Sequence, residues 1–246
     1  MISILPGGFA AVVEADWSSI AHEPARLAAS LIEFLFVIDV QIAMVGYLVT
    51  MRPLDAQIRT ANPHLDAWLA ALMCYPPFIL MGGGAVIDYH QGTQDWSVWL
   101  AGHPALLWTW GGCLVALTAI YAWATVAFGL RFSNLTYRGV LTNGPYAFTR
   151  HPAYLSKNAF WWLSTLPFLT TTGSTLEAVR NTAMLMLVST IYYWRARTEE
   201  RHLLAEDAKY RAYHAWMGRN ATVTRTIGRM LALPARGRRV MAQPAE

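Results

Sequence analysis

The sequence predicts an all-α fold: a polytopic bundle of about five membrane helices with a further helix on the cytoplasmic side. Two features of composition support this, since 55% of the 246 residues are hydrophobic and only 14% are charged. Soluble domains ordinarily contain about 25% charged residues. The third observation is that the hydrophobic residues are gathered in long runs, and a helix needs about 20 mostly apolar residues to cross the hydrocarbon layer.

Five apolar runs are candidate spans, at residues 27–50, 65–87, 104–128, 154–172 and 179–194. The last two are short and partly polar, which is compatible with tilted helices. Inside the second run, Pro76-Pro77 and Gly82-Gly83-Gly84 predict a kink. Glu33 and Asp39 lie in the first run, where ionisable groups either orient neighbouring helices or serve a function.

Composition also divides the chain into regions. Residues 1–26 lack the basic start of a secretory signal and are expected at the membrane interface, with partial insertion as the alternative. Residues 27–128 are expected to form a three-helix membrane region. Residues 129–217 are expected to form a helical hairpin, with a cytoplasmic helix over 195–217. The remainder, 218–246, is a basic tail.

The arginines predict the orientation in the bilayer. They occur in the loops 51–64 and 129–153 and throughout the chain beyond residue 194, whereas the loop 88–103 has no Lys or Arg. Because cytoplasmic loops carry the excess of basic residues, five spans place the N-terminus outside and the C-terminus in the cytoplasm. We therefore expect an integral, multi-pass membrane protein.

The basic tail contains Arg225, Arg229, Arg236, Arg238 and Arg239. We expect it to lie on anionic lipid headgroups, where each arginine adds about 1 kcal/mol of attraction. No nucleic-acid partner is expected, because the positive charge is concentrated where the positive-inside rule puts it. Cys74 and Cys113 lie inside apolar runs and are expected to be packing residues, without a disulfide.

Two polar passages stand out among the apolar runs. The first, 141–155, contains Gly144-Pro145 and His151-Pro152, two pairs that break helices. It predicts a folded loop with backbone groups available to a small polar ligand. The second passage comprises 195–202 and 210–213. One hydrophobic hairpin separates the two passages and returns the chain to the same, cytoplasmic, face.

These motifs, in order, are Gly-Pro-Tyr, Arg-His-Pro-x-Tyr, an apolar hairpin, Glu-Glu and Tyr-x-x-Tyr. Together they resemble the C-terminal signature of the isoprenylcysteine carboxyl methyltransferase family, which has phospholipid methyltransferase relatives. The likeness covers about 133–213, a third of the chain. It implies an integral membrane enzyme that uses S-adenosylmethionine and acts on a membrane lipid or lipidated substrate.

The resemblance also implies roles for particular residues. Glu199, with Glu200 as the alternative register, is expected to contact the cofactor. Arg195 is expected to position a substrate carboxylate, and Arg195 and Arg150 are the candidate catalytic residues. The remaining expected cofactor contacts are Arg138, Gly139, Val140, Leu141, Tyr146, His151, Pro152, Ala153 and Tyr154. From spacing alone, Arg150, Arg195, Arg197 and Glu200 could equally form an interfacial charge network.

The sequence departs from the family pattern at three places. Ser156-Lys157-Asn158 replaces the usual glycine after His-Pro-x-Tyr. A lysine one turn into a span needs an anion or an exit to water. We expect Lys157 to bind a carboxylate or phosphate of substrate or cofactor, or to pair with Asp39. Asp207-Ala208 replaces Phe-Gly with one residue fewer, and 132–138 is compact.

Methyl transfer is an in-line displacement that needs aligned reactants and little water. A carboxylate acceptor is already ionised at neutral pH and requires no base. Two other functions remain open: a reductase of the sterol-reductase type, and a non-catalytic subunit or assembly factor in a membrane complex. Glu199-x-x-His202 has the spacing of half a di-iron site, but the second half is missing, so no metal is expected.

Overall fold

The computed structural model describes residues 4–74, 80–81, 83–165 and 174–236. It is 72% helical with almost no strand, which confirms the predicted helical class. The helices are α1 (Ile4–Val13), α2 (Trp17–Ile20), α3 (Pro24–Leu48), α4 (Leu65–Leu72), α5 (Trp96–Trp99), α6 (Pro104–Phe128), α7 (Pro152–Thr165), α8 (Thr175–Glu206), α9 (Ala208–Asn220) and α10 (Thr222–Arg236).

Two helices in the described part of the chain are long and apolar enough to cross a membrane. They are α3 and α6, the latter extended by a 3-10 turn to Arg131. Each has 25 residues, a length of about 37 Å at 1.5 Å per residue. They pack closely, because a Cβ on Gly111 would lie 3.0 Å from the Cβ of Ala28. Small residues at a helix crossing permit this approach.

The predicted number of five spans is not confirmed. The run 65–87 does not form one spanning helix: α4 has eight residues and ends at Leu72, and residues 83–87 are turns and bends. Gly84 has φ 75°, a left-handed conformation that a continuous helix excludes. The predicted kink at Pro76-Pro77 and Gly82 lies outside the described residues. So does the second half of the run 154–172, since α7 is described only to Thr165.

Helix α8 corrects the boundary predicted at residue 194. It has 32 residues and continues through Arg195 and Glu199 to Glu206. The expected separate helix over 195–217 is therefore wrong in its bounds, because the change from apolar to charged residues contains no helix breaker. The chain leaves the helix at Asp207, which has extended backbone angles and caps α9 by accepting a hydrogen bond from the Lys209 amide at 2.6 Å.

Both ends of the chain contribute helices. In the N-terminal segment, α1 packs against α3, where a Cβ on Gly8 would lie 2.5 Å from the Glu33 carboxylate. The basic tail contains α10, whose periodicity separates two faces. Arg225 and Arg229 fall within about 40° of each other around the helix axis. Val223 and Ile227 lie on the opposite side.

Two connecting segments meet at one end of the bundle. Strand β1 (Thr60–Ala61), which follows α3, pairs antiparallel with β2 (Thr136–Tyr137), which follows α6. The backbone N–H of Asn62 extends this pairing by donating to the Leu135 carbonyl at 2.8 Å. Gly46 permits the contact from the other side, since a Cβ there would lie 2.8 Å from the Phe132 Cβ. The pairing holds 131–139 in front of the charged half of α8.

Candidate active site

A cavity opens at the end of the bundle where the segment after α3 meets the segment after α6. Its walls are the end of α6, the segment 131–141, the loop 146–154, α8 and α9. The side chains from α6 are Tyr121, Thr125 and Phe128, and those from α8 include Arg195, Glu199 and His202. Because Tyr121 lies about 10 Å along the helix from Phe128, the cavity extends from the bundle end into the apolar region.

Most of the residues expected to form the site line this cavity. They are Arg138, Gly139, Val140, Leu141, Tyr146, Arg150, His151, Ala153, Tyr154, Arg195 and Glu199. Three expected residues are not part of the lining: Pro152, which is fully buried at the start of α7, Lys157 and Glu200. The two polar passages, separated by the hairpin in sequence, thus share one cavity.

Arg195, Glu199 and Tyr154 form a hydrogen-bonded group in the wall. The Arg195 Nε donates to Glu199 Oε1 at 3.2 Å, as the i,i+4 spacing on α8 allows. The Tyr154 hydroxyl donates to the same oxygen at 2.5 Å, and the Arg195 guanidinium lies 5.2 Å from the centre of the Tyr154 ring. Arg195 is buried, whereas 27% of the Glu199 side chain is exposed. The carboxylate therefore remains accessible from the cavity.

Glu200 points away from the cavity, since consecutive helical residues are turned by about 100°. Its buried carboxylate forms an ion pair with Arg150 at 2.9 Å and is hydrogen-bonded to His151 at 3.0 Å and to Arg197 at 2.9 Å. Burial alone would raise the pKa of Glu200, but the hydrogen bond and charge of His151, with the charge of Arg150, lower it to about 2. Glu200 thus connects α8 to Arg150 and His151, the two residues that precede α7.

Tyrosines hold the loop 144–151 against its neighbours. The Tyr213 hydroxyl donates to the Tyr146 carbonyl at 2.7 Å, and the Tyr146 ring meets Phe128 edge to face at 5.2 Å. Burial raises the pKa of Tyr146, as do the nearby Glu199 and Tyr213, and burial raises the pKa of Tyr213 to about 12. Both hydroxyls are protonated at neutral pH, so they act as donors and not as bases.

Lys157 lies deeper, next to the inner end of the cavity. Its ammonium is 5.4 Å from the ring centre of Tyr121, 5.2 Å from Trp161 and 5.4 Å from Tyr192. Its charge also acts on Asp39, whose carboxylate accepts from Thr125 at 2.5 Å. The ion pair suggested for Lys157 and Asp39 is absent from the described residues. Aromatic rings provide the immediate surroundings instead.

The other departures from the family pattern have local structural roles. Ser156 and Asn158 bond to carbonyls of their own helix, at Pro152 and Tyr154, both at 2.8 Å. Asp207 caps α9 and also accepts a hydrogen bond from the Tyr137 hydroxyl. Through these two contacts, Asp207 connects α9 to the segment that contains β2.

Two asparagines in the lining were missed from the sequence, Asn62 and Asn134. Asn62 is buried and donates to the Thr198 carbonyl of α8 at 3.4 Å, while Asn134 accepts from Arg195 Nη2 at 2.6 Å. Neither belongs to a recognisable motif. The one signal in the sequence is that the segment 132–138 is short compared with the family pattern. In the structure, Leu135 has φ 60°, an uncommon conformation that turns the chain directly after Asn134.

The spacing Glu199-x-x-His202 serves no cluster of ligands in the structure. His202 Nε2 is 3.1 Å from the Thr60 hydroxyl, and Glu199 bonds Arg195 and Tyr154. In the segments that the structure describes, no three His, Cys, Asp or Glu side chains are grouped to hold a metal ion.

The part of the chain that forms most of the cavity wall matches a known family. No curated protein and no solved structure matches the sequence. The matched region, however, begins in α6 and ends near the end of α8, and so includes most of the cavity wall. Residues 110–205 match the model of the isoprenylcysteine carboxyl methyltransferase (ICMT) family, and the resemblance indicated by the motifs is confirmed over this part of the chain.

Proposed function

We propose that the protein is an integral membrane methyltransferase that uses S-adenosylmethionine and acts on a lipid-like acceptor, with an isoprenylcysteine-type carboxylate as the candidate. The family match indicates a membrane methyltransferase. The observation that carries the proposal further is the single cavity shared by the His151–Tyr154 corner, Arg195 and Glu199.

The residues in the cavity fit the proposed cofactor. When bound, S-adenosylmethionine supplies a methyl group made electrophilic by a sulfonium cation. The accessible Glu199 carboxylate suits a cationic or hydroxyl-bearing ligand, and the aromatic side chains of Tyr146 and Phe128, a residue type that attracts cations, lie in the same wall. The backbone of 138–141 offers neutral donors and acceptors along the same wall. The corner 151–154 completes the expected contacts.

The cavity also suits an acidic acceptor. Arg195 and Arg150 lie in its wall and supply positive charge to a carboxylate. That acceptor is ionised at neutral pH, so the protein needs to orient it and exclude water and does not need to deprotonate it. The protonated state of Tyr146 and Tyr213 agrees with a site that holds no base at these positions.

The membrane location follows from the same arrangement. The cavity ends on α6 at Tyr121 and Thr125, inside a helix that can cross the bilayer. An apolar tail could therefore remain in the lipid while the polar group reaches Arg195. We propose that the polar end of the cavity, next to the arginine-rich segments, faces the cytoplasm, because cytoplasmic segments carry the excess of basic residues. Nothing in the described cavity favours the alternative of a non-catalytic subunit.

Titration with S-adenosylmethionine tests the proposal. Purified protein in detergent is compared with Glu199→Gln, His151→Ala and the control Glu206→Gln, which changes an exposed carboxylate at the end of the same helix. We expect saturable binding to the unmodified protein, about tenfold weaker binding by Glu199→Gln, and unchanged binding by the control. Absence of saturable binding by folded protein would reject the proposal.

A further inference from the structure

Asn134 connects the end of α3 to the guanidinium in the cavity wall. Its Oδ1 accepts from Arg195 Nη2 at 2.6 Å, and its Nδ2 donates to the Tyr47 hydroxyl. The Tyr47 ring also meets Phe132 edge to face at 5.8 Å. Asn134 thus lies in a segment that contacts α3 through Tyr47 and α8 through Arg195.

Arg195 is fixed in orientation by contacts on different parts of its guanidinium. Nε donates to Glu199 and Nη2 donates to Asn134, while the planar group lies over Tyr154. A planar guanidinium held at two nitrogens has a defined plane, and its charge points in a defined direction. Of the two side chains bonded at these nitrogens, one is a carboxylate and the other is a neutral amide.

We infer that Asn134 is a positioning residue that orients Arg195 and, being neutral, preserves its attraction for an anionic acceptor. This inference rests on the proposed function and specifies its acceptor as an anion, a carboxylate in the first instance. An aspartate at 134 could accept the same hydrogen bond. It would, however, place a negative charge 2.6 Å from Arg195 Nη2, where it would compete with the acceptor.

The charges around the cavity agree with an anionic ligand. Among the described residues of its lining, the arginines are Arg131, Arg138, Arg150 and Arg195, and the carboxylate is Glu199. Carboxylates outside the lining pair with two of these arginines, Asp55 with Arg131 and Glu200 with Arg150. Arg138 donates to the carbonyls of Gly46 and Leu130, which are neutral. Among the described residues, these arginines therefore outnumber the carboxylates that pair with them or line the cavity, and the wall carries a net positive charge.

Binding of two matched probes tests the inference without turnover. N-acetyl-S-farnesyl-cysteine carries a carboxylate, and its carboxamide is a neutral analogue of the same shape. Both are titrated into the full chain, which is reconstituted in lipid nanodiscs, in a buffer that contains S-adenosylhomocysteine. We expect the unmodified protein to prefer the carboxylate by about tenfold to hundredfold, as for hydrogen bonds to charged groups. We expect Asn134→Asp to lose that preference. We expect Asn134→Ala, which removes the orienting hydrogen bond and adds no charge, to keep a reduced preference for the carboxylate.

The contrast between the two variants separates charge from structure, because both remove the amide and only one adds a negative charge. Asn143→Asp is the matched control: it makes the same change at an exposed position outside the cavity lining and should keep the preference. Absence of any preference in the unmodified protein, or its persistence in folded Asn134→Asp, would overturn the inference. The first of these outcomes does not depend on any variant folding.

Titration of the same proteins with S-adenosylmethionine distinguishes this inference from the proposed function. We expect Asn134→Asp to bind the cofactor within about twofold of the unmodified protein. If cofactor binding were lost while the carboxylate preference survived, the anion at Arg195 would belong to the cofactor and the inference would be overturned. If the unmodified protein bound no cofactor but kept the preference, the proposed function would fail, and the role of Asn134 would hold only for an anionic ligand that is not a methyl acceptor.

Discussion

At the scale of residues, two adjacent glutamates have different surroundings because a helix separates them by about 100°. Glu199 faces the cavity, and Glu200 is buried among Arg150, His151 and Arg197. The sequence predicted that this pair mattered but left open which carboxylate faces the ligand. That choice depends on the orientation of α8 relative to the loop, which no local pattern specifies.

Replacing Glu200 by glutamine should destabilise the fold in a pH-dependent way. The pKa of the folded carboxyl, about 2, lies below the usual 4.5, so its contribution is present above pH 4.5 and is lost as the pH falls towards 2. The shift corresponds to about 3 kcal/mol at neutral pH. Thermal unfolding in detergent should show a lower midpoint for Glu200→Gln at pH 7, and the difference should shrink below pH 4.5.

Exposed Glu206 provides the control for this experiment, since Glu206→Gln should unfold like the unmodified protein at every pH. A stability difference for Glu200→Gln that stays constant from pH 7 to pH 3 would contradict the buried charge network.

Lys157→Met tests the expected role of the lysine in anion binding. We expect methyl transfer to fall about tenfold, because a partly buried ammonium near the inner end of the cavity would no longer attract the anion. Affinity for S-adenosylmethionine should fall as well only if the anion belongs to the cofactor. Lys209→Met removes an exposed lysine of α9 and serves as the control. Unchanged transfer together with unchanged cofactor binding would remove Lys157 from the site.

At the scale of elements, the sequence predicted α3 and α6 well because their apolar runs are long and end at clear breakers. Pro24 and Pro104 stand at the starts of these helices, where the missing N–H has no cost. The run 65–87 is also mostly apolar but has a different structure. The helix ends at Leu72 and Gly84 has a left-handed backbone conformation, and composition over a window does not detect such an interruption.

The opposite error occurred at α8. A change from apolar to charged residues suggested a boundary near 194, but Arg, Ala and Glu are strong helix formers and the helix continues to Glu206. Continuity has a consequence for the site, because Arg195 and Glu199 lie on the same helix as the apolar residues that begin α8.

Helix α10 should lie on an anionic membrane surface. Arg225 and Arg229 are exposed, and each adds about 1 kcal/mol of attraction near such a surface. Hydrogen exchange of the full protein in nanodiscs should show slower exchange across 222–236 with anionic than with zwitterionic lipid. Replacing both arginines by glutamine should remove the difference. Equal exchange in the two lipids for the unmodified protein would contradict this location.

At the scale of the whole molecule, the cavity depends on contacts between distant parts of the chain. The segment after α3 pairs with the segment after α6, and Tyr213 of α9 bonds to the loop at Tyr146. Motifs in the sequence predicted that the two polar passages would share a face. They could not show that Asn62 and Asn134 complete the wall, since those contacts span 136 and 61 residues.

Orientation in the membrane remains a prediction from charge, and labelling can test it. In a background without Cys74 and Cys113, Gln94→Cys should react with a membrane-impermeant maleimide on intact cells. Asn143→Cys should react only after the membrane is permeabilised. Both positions are exposed, so access is limited by the bilayer and not by the fold. The reverse pattern would place the cavity on the outer face.

The most direct test of the account is transfer of a labelled methyl group. The purified protein, in membranes that contain N-acetyl-S-farnesyl-cysteine, is incubated with S-adenosylmethionine carrying tritium in its methyl group. We expect tritium in the lipid extract, released by mild base as is typical of a methyl ester, and its loss in Glu199→Gln. Absence of transferred label from folded protein that binds the cofactor would contradict it.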